Sequence, residues 1–208
     1  MRRGPKPTAR GVSAVVLNTS LAVLYALFLY RHAVTFVETR EPTFLAIIVL
    51  ETMLVTLFMV RREASASNVS PVALAATALG TFSTLFMAPI ERSDVPSAIT
   101  VAIQLVGMTL AIVSLGSLRR SFGLAPANRG VKTCGMYLFV RHPLYASYLV
   151  ALSGYVLAYP APRNFALLAA SVLGQLVRMS LEERLLLRDP TYARYAARTR
   201  FRLVPGVY

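Results

Sequence analysis

Two short stretches of this chain carry residues whose types and spacing suit chemistry. In SVLGQLVRMSLEERLLL, Gln175, Arg178 and Glu182 fall at i, i+3 and i+7, so one helix face presents an amide, a guanidinium and a carboxylate. In VRHPLYASYLV, Arg141 and His142 stand directly before Pro143, with Tyr145 one step into the apolar run that follows. Ionisable groups near membrane depth are costly and usually face a cavity or a partner. If the two stretches are antiparallel neighbours, Arg141, His142 and Tyr145 meet Arg178 and Glu182 at one mouth. Tyr137, Gly130 and Gly135 precede them in a loop able to approach a ligand closely. Such a pocket suits a zwitterion. The plainer alternative is an interfacial Arg178–Glu182 salt bridge closing the helix, with Arg178 snorkelling outward. Glu183 points elsewhere on the helix, where an ordinary interfacial charge is an equal reading.

The elements that must position these groups are membrane helices. The chain has 208 residues, 56% of them hydrophobic and 15% charged, with a mean hydropathy of +0.58. That composition leaves too little polar surface for a soluble domain of this size. Apolar runs at Val12–Tyr30, Pro42–Val60, Pro71–Ala88, Val95–Leu118, Leu144–Tyr159 and Asn164–Leu181 approach the length that spans a bilayer. The expected fold is an all-α, polytopic transmembrane bundle of about five to six membrane helices. The fifth run is short, consistent with a tilted, re-entrant or hairpin segment. The basic start MRRGPKPTAR also fits a signal peptide, but the long apolar core and the lack of a small-residue cleavage site favour a retained helix.

A net charge of +13 raises the question of nucleic acid, and its distribution argues against that. With the N-terminus inside, six crossings place 18 of the 22 Lys/Arg on the cytoplasmic side and leave Arg31, Arg40, Arg92 and Arg163 opposite. This positive-inside bias puts both termini in the cytoplasm, with the basic surplus facing anionic lipid. The single Cys134 excludes an intramolecular disulfide, and no Cys/His cluster suggests a metal.

The chain divides into N-terminal helices, residues 1–118, and a region 119–208 that holds most of the unusual polar residues. Residues 119–141 read as an irregular loop. Its Arg119, Arg120, Arg129 and Lys132 are mainly orientation signals, with Asn128-Arg129-Gly130 also able to touch a ligand. Pro143 opens one helix, Asn164 is an expected N-cap for the next, and the two form a helical hairpin. In TYARYAARTRFR, Arg194, Arg198 and Arg202 recur on one face, with Tyr192, Tyr195, Ala196 and Thr199 on the other, as in an interfacial helix. Glu51 has no partner identifiable from sequence. It reads as structural glue, as do Asn18 and Gln104, while His32 reads as an interface anchor beside Arg31.

The blocks GVKTCGMYLFVRHPLYASY and RMSLEERLLLRDPTYARYAARTRFRLVPGVY resemble the isoprenylcysteine carboxyl methyltransferase-like membrane enzymes, whose relatives include phospholipid N-methyltransferases. The shared pattern is G-x-Y-x-x-x-R-H-P-x-Y, then R-x-x-x-E-E, then Y-x-x-Y and R-x-x-P-G, over about residues 119–208. Met136, Leu138 and Asp189-Pro190 depart from it. The resemblance implies S-adenosyl-L-methionine held by the C-terminal region, through Tyr137, Val140, Arg141, His142, Tyr145, Glu182 and Glu183. It also implies Arg178 and Glu182 as catalytic residues, and Gln175 and Arg178 beside a lipophilic small-molecule, lipid or prenylated acceptor. A carboxylate acceptor needs no general base, so Arg178 could orient it by a bidentate contact. A phospholipid or small amine would need a proton removed, for which Glu182 is placed. Two other readings stand beside this one: an NADPH-dependent membrane reductase of related fold, and a non-catalytic membrane scaffold.

Overall fold

Among the described residues, five of the seven α-helices begin on a proline, at Pro42, Pro71, Pro143, Pro162 and Pro190. The first turn of a helix has no intrahelical acceptor for its N–H groups, so the missing proline donor costs nothing there. The computed structural model describes residues 9–89, 93–94 and 97–207. The basic start through residue 8, Arg92 and the opening of the fourth apolar run at Val95 lie outside the described residues. The helices are α1 (Ala9–Thr39), α2 (Pro42–Val60), α3 (Pro71–Phe82), α4 (Ser97–Leu118), α5 (Pro143–Ala158), α6 (Pro162–Leu186) and α7 (Pro190–Arg198). Helix accounts for 74% of the structure and strand for 2%. The strands, β1 (Ala66–Ser67) and β2 (Ala127–Asn128), form one short antiparallel ladder.

Among the described residues, four segments are long and apolar enough to cross a membrane: Val15–Thr39, Pro42–Val60, Ser97–Ser121 and Pro162–Leu186. At 1.5 Å per residue, 19 residues reach about 28 Å, close to the hydrocarbon thickness of a bilayer. This is a membrane protein by its helices. The third and fifth apolar runs make shorter helices. After Phe82 the third tightens into a 3₁₀ turn, Ser83–Phe86, where the Ser83 hydroxyl donates to the Leu79 carbonyl at 2.6 Å.

By packing, the chain divides into two compact units between Arg61 and Arg62. The first unit is the α1–α2 hairpin. It is pinned by two polar pairs: His32 Nδ1 lies 3.0 Å from Glu51 Oε1, and Arg61 Nε donates to Asn18 Oδ1 at 2.8 Å. Glu51 therefore has a partner, and His32 is that partner rather than a boundary anchor. The His32 ring also stacks on Phe44 at 6.0 Å, and α1 runs on through Arg31-His32 to Thr39.

In the second unit α4 packs on α5, and α3 on α6. Small residues let these backbones touch. A Cβ added at Gly107 of α4 would overlap the backbone N and Cα of Ala151 in α5, and one at Gly174 of α6 would overlap Gly80 of α3. Gly107→Val is accordingly expected to destabilise the protein by about 1–3 kcal/mol, because main chain cannot move aside as a side chain can. A lowered thermal unfolding midpoint in detergent checks this, and an unchanged midpoint would contradict the close crossing.

Asn164 does not cap α6. The N-cap is Ala161, and Asn164 sits one turn in, fully buried. Its amide donates to the carbonyls of Ala88 (2.8 Å) and Tyr159 (2.9 Å), and its oxygen accepts from the Ala88 N–H at 3.2 Å. It serves half-buried backbone groups at Ala88 and Tyr159 that lie outside the helices.

The chain after α6 folds back on the protein. Asp189 caps α7 by accepting from the Thr191 N–H at 2.9 Å. Arg194 and Arg198 are exposed as expected for an amphipathic helix, while Tyr192 and Tyr195 pack on Tyr137, so protein covers the tyrosine face. Arg202 lies beyond the end of α7. The tail there runs beside the start of α5: the Arg141 N–H donates to the Phe201 carbonyl at 3.0 Å and the His142 N–H to that of Arg202 at 2.8 Å.

Candidate functional site

Pro143 starts α5 with Arg141 and His142 just outside it, and the short Tyr159–Ala161 turn sends α6 back alongside. Tyr145, about 13 residues from the turn, thereby meets the part of α6 that carries Arg178 and Glu182. The loop from Leu118 to Lys132 closes the remaining side. These elements line a cleft that is open to solvent at its mouth.

Its centre is a relay through one phenol. Arg178 Nε donates to the Tyr145 hydroxyl at 2.7 Å, and that hydroxyl donates to Glu182 Oε2 at 2.8 Å. The Arg178 guanidinium also lies over the Tyr145 ring, 4.8 Å from its centroid, and Nη1 reaches the Thr81 hydroxyl at 3.4 Å. Arg178 and Glu182 do not form the direct i, i+4 ion pair that their spacing allowed; the phenol stands between them. Arg178 and Tyr145 are buried, and Glu182 is half-buried. The cleft thus has a fixed cation and a fixed anion whose separation is set by a rigid aromatic side chain.

Behind this wall lies a second cluster around Glu183, one residue on and so about 100° around the helix. Glu183 Oε1 accepts from the Tyr192 hydroxyl at 2.7 Å and sits 3.0 Å from His142 Nε2, which carries the proton in that contact. Oε2 lies 3.2 Å from Arg141 Nη1 and 3.4 Å from Arg202 Nε. One buried carboxylate thereby joins the start of α5, the end of α6, α7 and the tail.

Of the residues singled out from sequence, Tyr137, Arg141, His142, Tyr145, Arg178 and Glu182 line the cleft. Val140, Gln175 and Glu183 are buried outside its lining, with the Gln175 amide donating to the Ser171 hydroxyl at 3.1 Å. The sequence pattern puts Tyr192 and Arg202 on opposite faces of an interfacial helix, and Thr81 carries no signal at all. The Y-x-x-Y spacing was the available clue to Tyr192, since two buried-face tyrosines on a short helix need something to pack against.

The loop completes the site electrostatically. Arg129, Gly130 and Lys132 line the cleft, and Gly130 adopts φ 97°, a left-handed conformation that favours glycine. Burial lowers the Arg129 pKa from its ordinary value, and the nearby Glu182 carboxylate acts the other way. Burial, followed by the charge of Glu182, pushes the Tyr137 phenol well above its ordinary pKa. Tyr192 moves the same way through burial and its hydrogen bond to Glu183, and Tyr195 is pushed up to about 12, chiefly by burial. These phenols stay protonated at neutral pH and act as donors. The Tyr195 hydroxyl donates to the Tyr137 carbonyl at 2.7 Å, fixing the loop on α7. Apolar contact from Leu118, Phe122, Leu144 and Leu186 makes up the rest of the wall. Compared with known proteins, the chain matches no protein-family model and no curated protein.

Proposed function

We propose that this protein is an S-adenosyl-L-methionine-dependent membrane methyltransferase acting on a lipophilic acceptor, with a carboxylate as the favoured methyl-accepting group. The observation that carries the reading is the Arg178–Tyr145–Glu182 relay in a cleft shared by two apolar helices and a basic loop. The residue set fits the cofactor: a carboxylate for an amino group, a guanidinium for a carboxylate, and aromatic and aliphatic walls for adenosine. When bound, S-adenosyl-L-methionine would supply a methyl group on a positively charged sulfur, transferable by in-line displacement.

The protein's own task is alignment, which can contribute roughly 7–11 kcal/mol. Tyr137, His142, Tyr145 and Glu182 would hold the donor. Arg178, whose Nε is engaged by Tyr145, would use its remaining N–H groups to orient an acceptor carboxylate. Glu183 would act from behind by holding Arg141 and His142 in place. An acceptor with an acyl or prenyl chain would approach through the lipid, while the polar donor would arrive from the cytoplasm. In this arrangement five to six helical segments cross or enter the bilayer and both termini lie inside.

The resemblance of Arg141-His142-Pro143 and Glu182-Glu183 to the methyltransferase motifs supports this reading over a nicotinamide reductase. Ligand stabilisation separates the two. At 100 times its dissociation constant, a ligand adds about 2.7 kcal/mol to the stability of the state it binds. S-adenosylhomocysteine is therefore expected to raise the thermal midpoint of the purified protein by several degrees, and NADPH to leave it unchanged. Stabilisation by NADPH alone would replace the reading, and stabilisation by neither would favour a scaffold. Radiolabelled methyl donor incubated with lipid extract and protein would then identify the acceptor class from the labelled product.

A further inference from the structure

Among the described residues, Arg129 is the cleft-lining guanidinium that has neither a hydrogen bond, as Arg178 has, nor an ion pair, as Arg141 has. Its side chain makes no hydrogen bond or ion pair with any described residue, and Nε is buried without an acceptor. Desolvating a cation without pairing it is costly, and such a group is normally compensated. The backbone around it is nevertheless firmly placed. The Ser121 hydroxyl donates to the Arg129 carbonyl at 3.0 Å, and the Asn128 amide donates to Asp189 Oδ2 at 3.0 Å, tying the loop to the turn before α7. The Asn128 carbonyl also accepts from the Ser65 N–H at 2.9 Å beside the β1–β2 ladder.

Room for the guanidinium comes from Gly123, where an added Cβ would overlap Arg129 Nη1 and Cζ. Glu182, in the lining of the same cleft, has one oxygen held by Tyr145 and forms no ion pair with a described residue. Arg129 and Glu182 therefore influence one another through space without touching. Two opposite charges on the lining of one cleft, each with unused hydrogen-bonding capacity, complement a ligand that carries both an ammonium and a carboxylate.

We propose that Arg129 is a specificity-determining residue that binds the α-carboxylate of the donor's amino-acid end, opposite Glu182 on its amino group. This rests on the methyl-donor reading and adds a residue and a direction to it. The amino-acid end lies toward the 119–132 loop, which leaves the methyl-bearing sulfur to face the Arg178 side of the cleft.

The test compares two probes by calorimetry on the full-length purified protein: S-adenosylhomocysteine, and its decarboxylated analogue, which keeps the adenosine, the sulfur and the amino group. Wild type is expected to prefer the carboxylate-bearing probe by about tenfold to a hundredfold, as a charged hydrogen bond provides. Arg129→Gln should remove that preference while leaving affinity for the decarboxylated probe within about threefold of wild type. The retained affinity for that probe shows that the cleft is intact. Gly123→Ala keeps the charge but displaces the guanidinium, so it should also reduce the preference, and Arg129→Lys should restore part of it.

Equal loss for both probes in Arg129→Gln, or a preference that survives the change, would overturn the assignment while leaving the methyl-donor reading standing. If wild type binds neither probe, the reading itself falls and the Arg129 assignment falls with it.

Discussion

Arg178→Ala is expected to lower kcat by a factor of about 10² to 10⁴ while leaving affinity for S-adenosylhomocysteine within about threefold of wild type. The size follows from what the side chain would do. Two charge-assisted hydrogen bonds to an acceptor, at about 1.5–3 kcal/mol each, amount to roughly 3–6 kcal/mol of positioning that alanine cannot supply. Donor affinity is spared because the Tyr145 hydroxyl donates to Glu182 whether or not Arg178 is present. Arg178→Lys keeps a charge but loses the planar fork and the Nε contact to Tyr145, so it should still cost at least about tenfold. Turnover at saturating donor and calorimetric affinity, measured on the same preparation, separate the two effects. Activity near wild type in Arg178→Ala would remove the residue from the reaction, and a parallel fall in donor affinity would move it to the donor's side of the cleft.

How much of this arrangement could be read beforehand depended on the range of the interaction. The apolar periods locate the helices because burial in lipid acts on each segment by itself. The meeting of Tyr145 with Arg178 and Glu182 was legible for a similar reason: a short turn between two helices forces residues equally far from it to face each other. The i, i+4 spacing of Arg178 and Glu182 was legible too, but it suggested a direct pair. Nothing in the spacing says that a phenol from another helix will insert between them.

The partners of Asn164 and Glu183 were not legible, because each depends on a third element. That of Glu51 lies across the short turn at Arg40–Glu41, where the same facing rule pairs it with His32. Asn164 follows a helix-breaking Pro-Ala-Pro and so resembles a cap, yet its amide serves Ala88, which is distant in sequence. The hub at Glu183 depends on where the chain goes after α7. The pattern of arginines every four residues predicts a continuous helix through Arg202, whereas the helix ends at Arg198 and the tail turns back to place Arg202 against the carboxylate. Propensity and patterning describe a helix; they do not describe the return path of an extended tail.

Glu182 and Glu183 are adjacent, identical in type and assigned opposite work, and exchanging their substitutions is the sharpest check on the site. Glu183→Ala is expected to destabilise the second unit by about 3–5 kcal/mol, the usual effect of removing one partner from a buried ion-pair network. Arg141 and Arg202 would lose their common counter-ion, and the Tyr192 hydroxyl its acceptor. The thermal midpoint should fall, and trypsin should cut the Arg188–Arg202 tail faster, because that carboxylate ties the tail to α6. Donor affinity should fall as a consequence, since Arg141 and His142 hold their places through the same carboxylate. Glu182→Gln should behave in the opposite way. Its amide oxygen can still accept from Tyr145, so stability should change by less than about 1 kcal/mol, while the lost charge weakens the hold on a donor ammonium. Protease resistance and midpoint report the first effect, and calorimetry with S-adenosylhomocysteine reports the second. If Glu183→Ala leaves both the tail and the midpoint unchanged, the cluster behind the cleft is not what positions Arg141 and His142. If Glu182→Gln unfolds the protein to the same extent, the carboxylate facing the cleft belongs to the scaffold and not to the site.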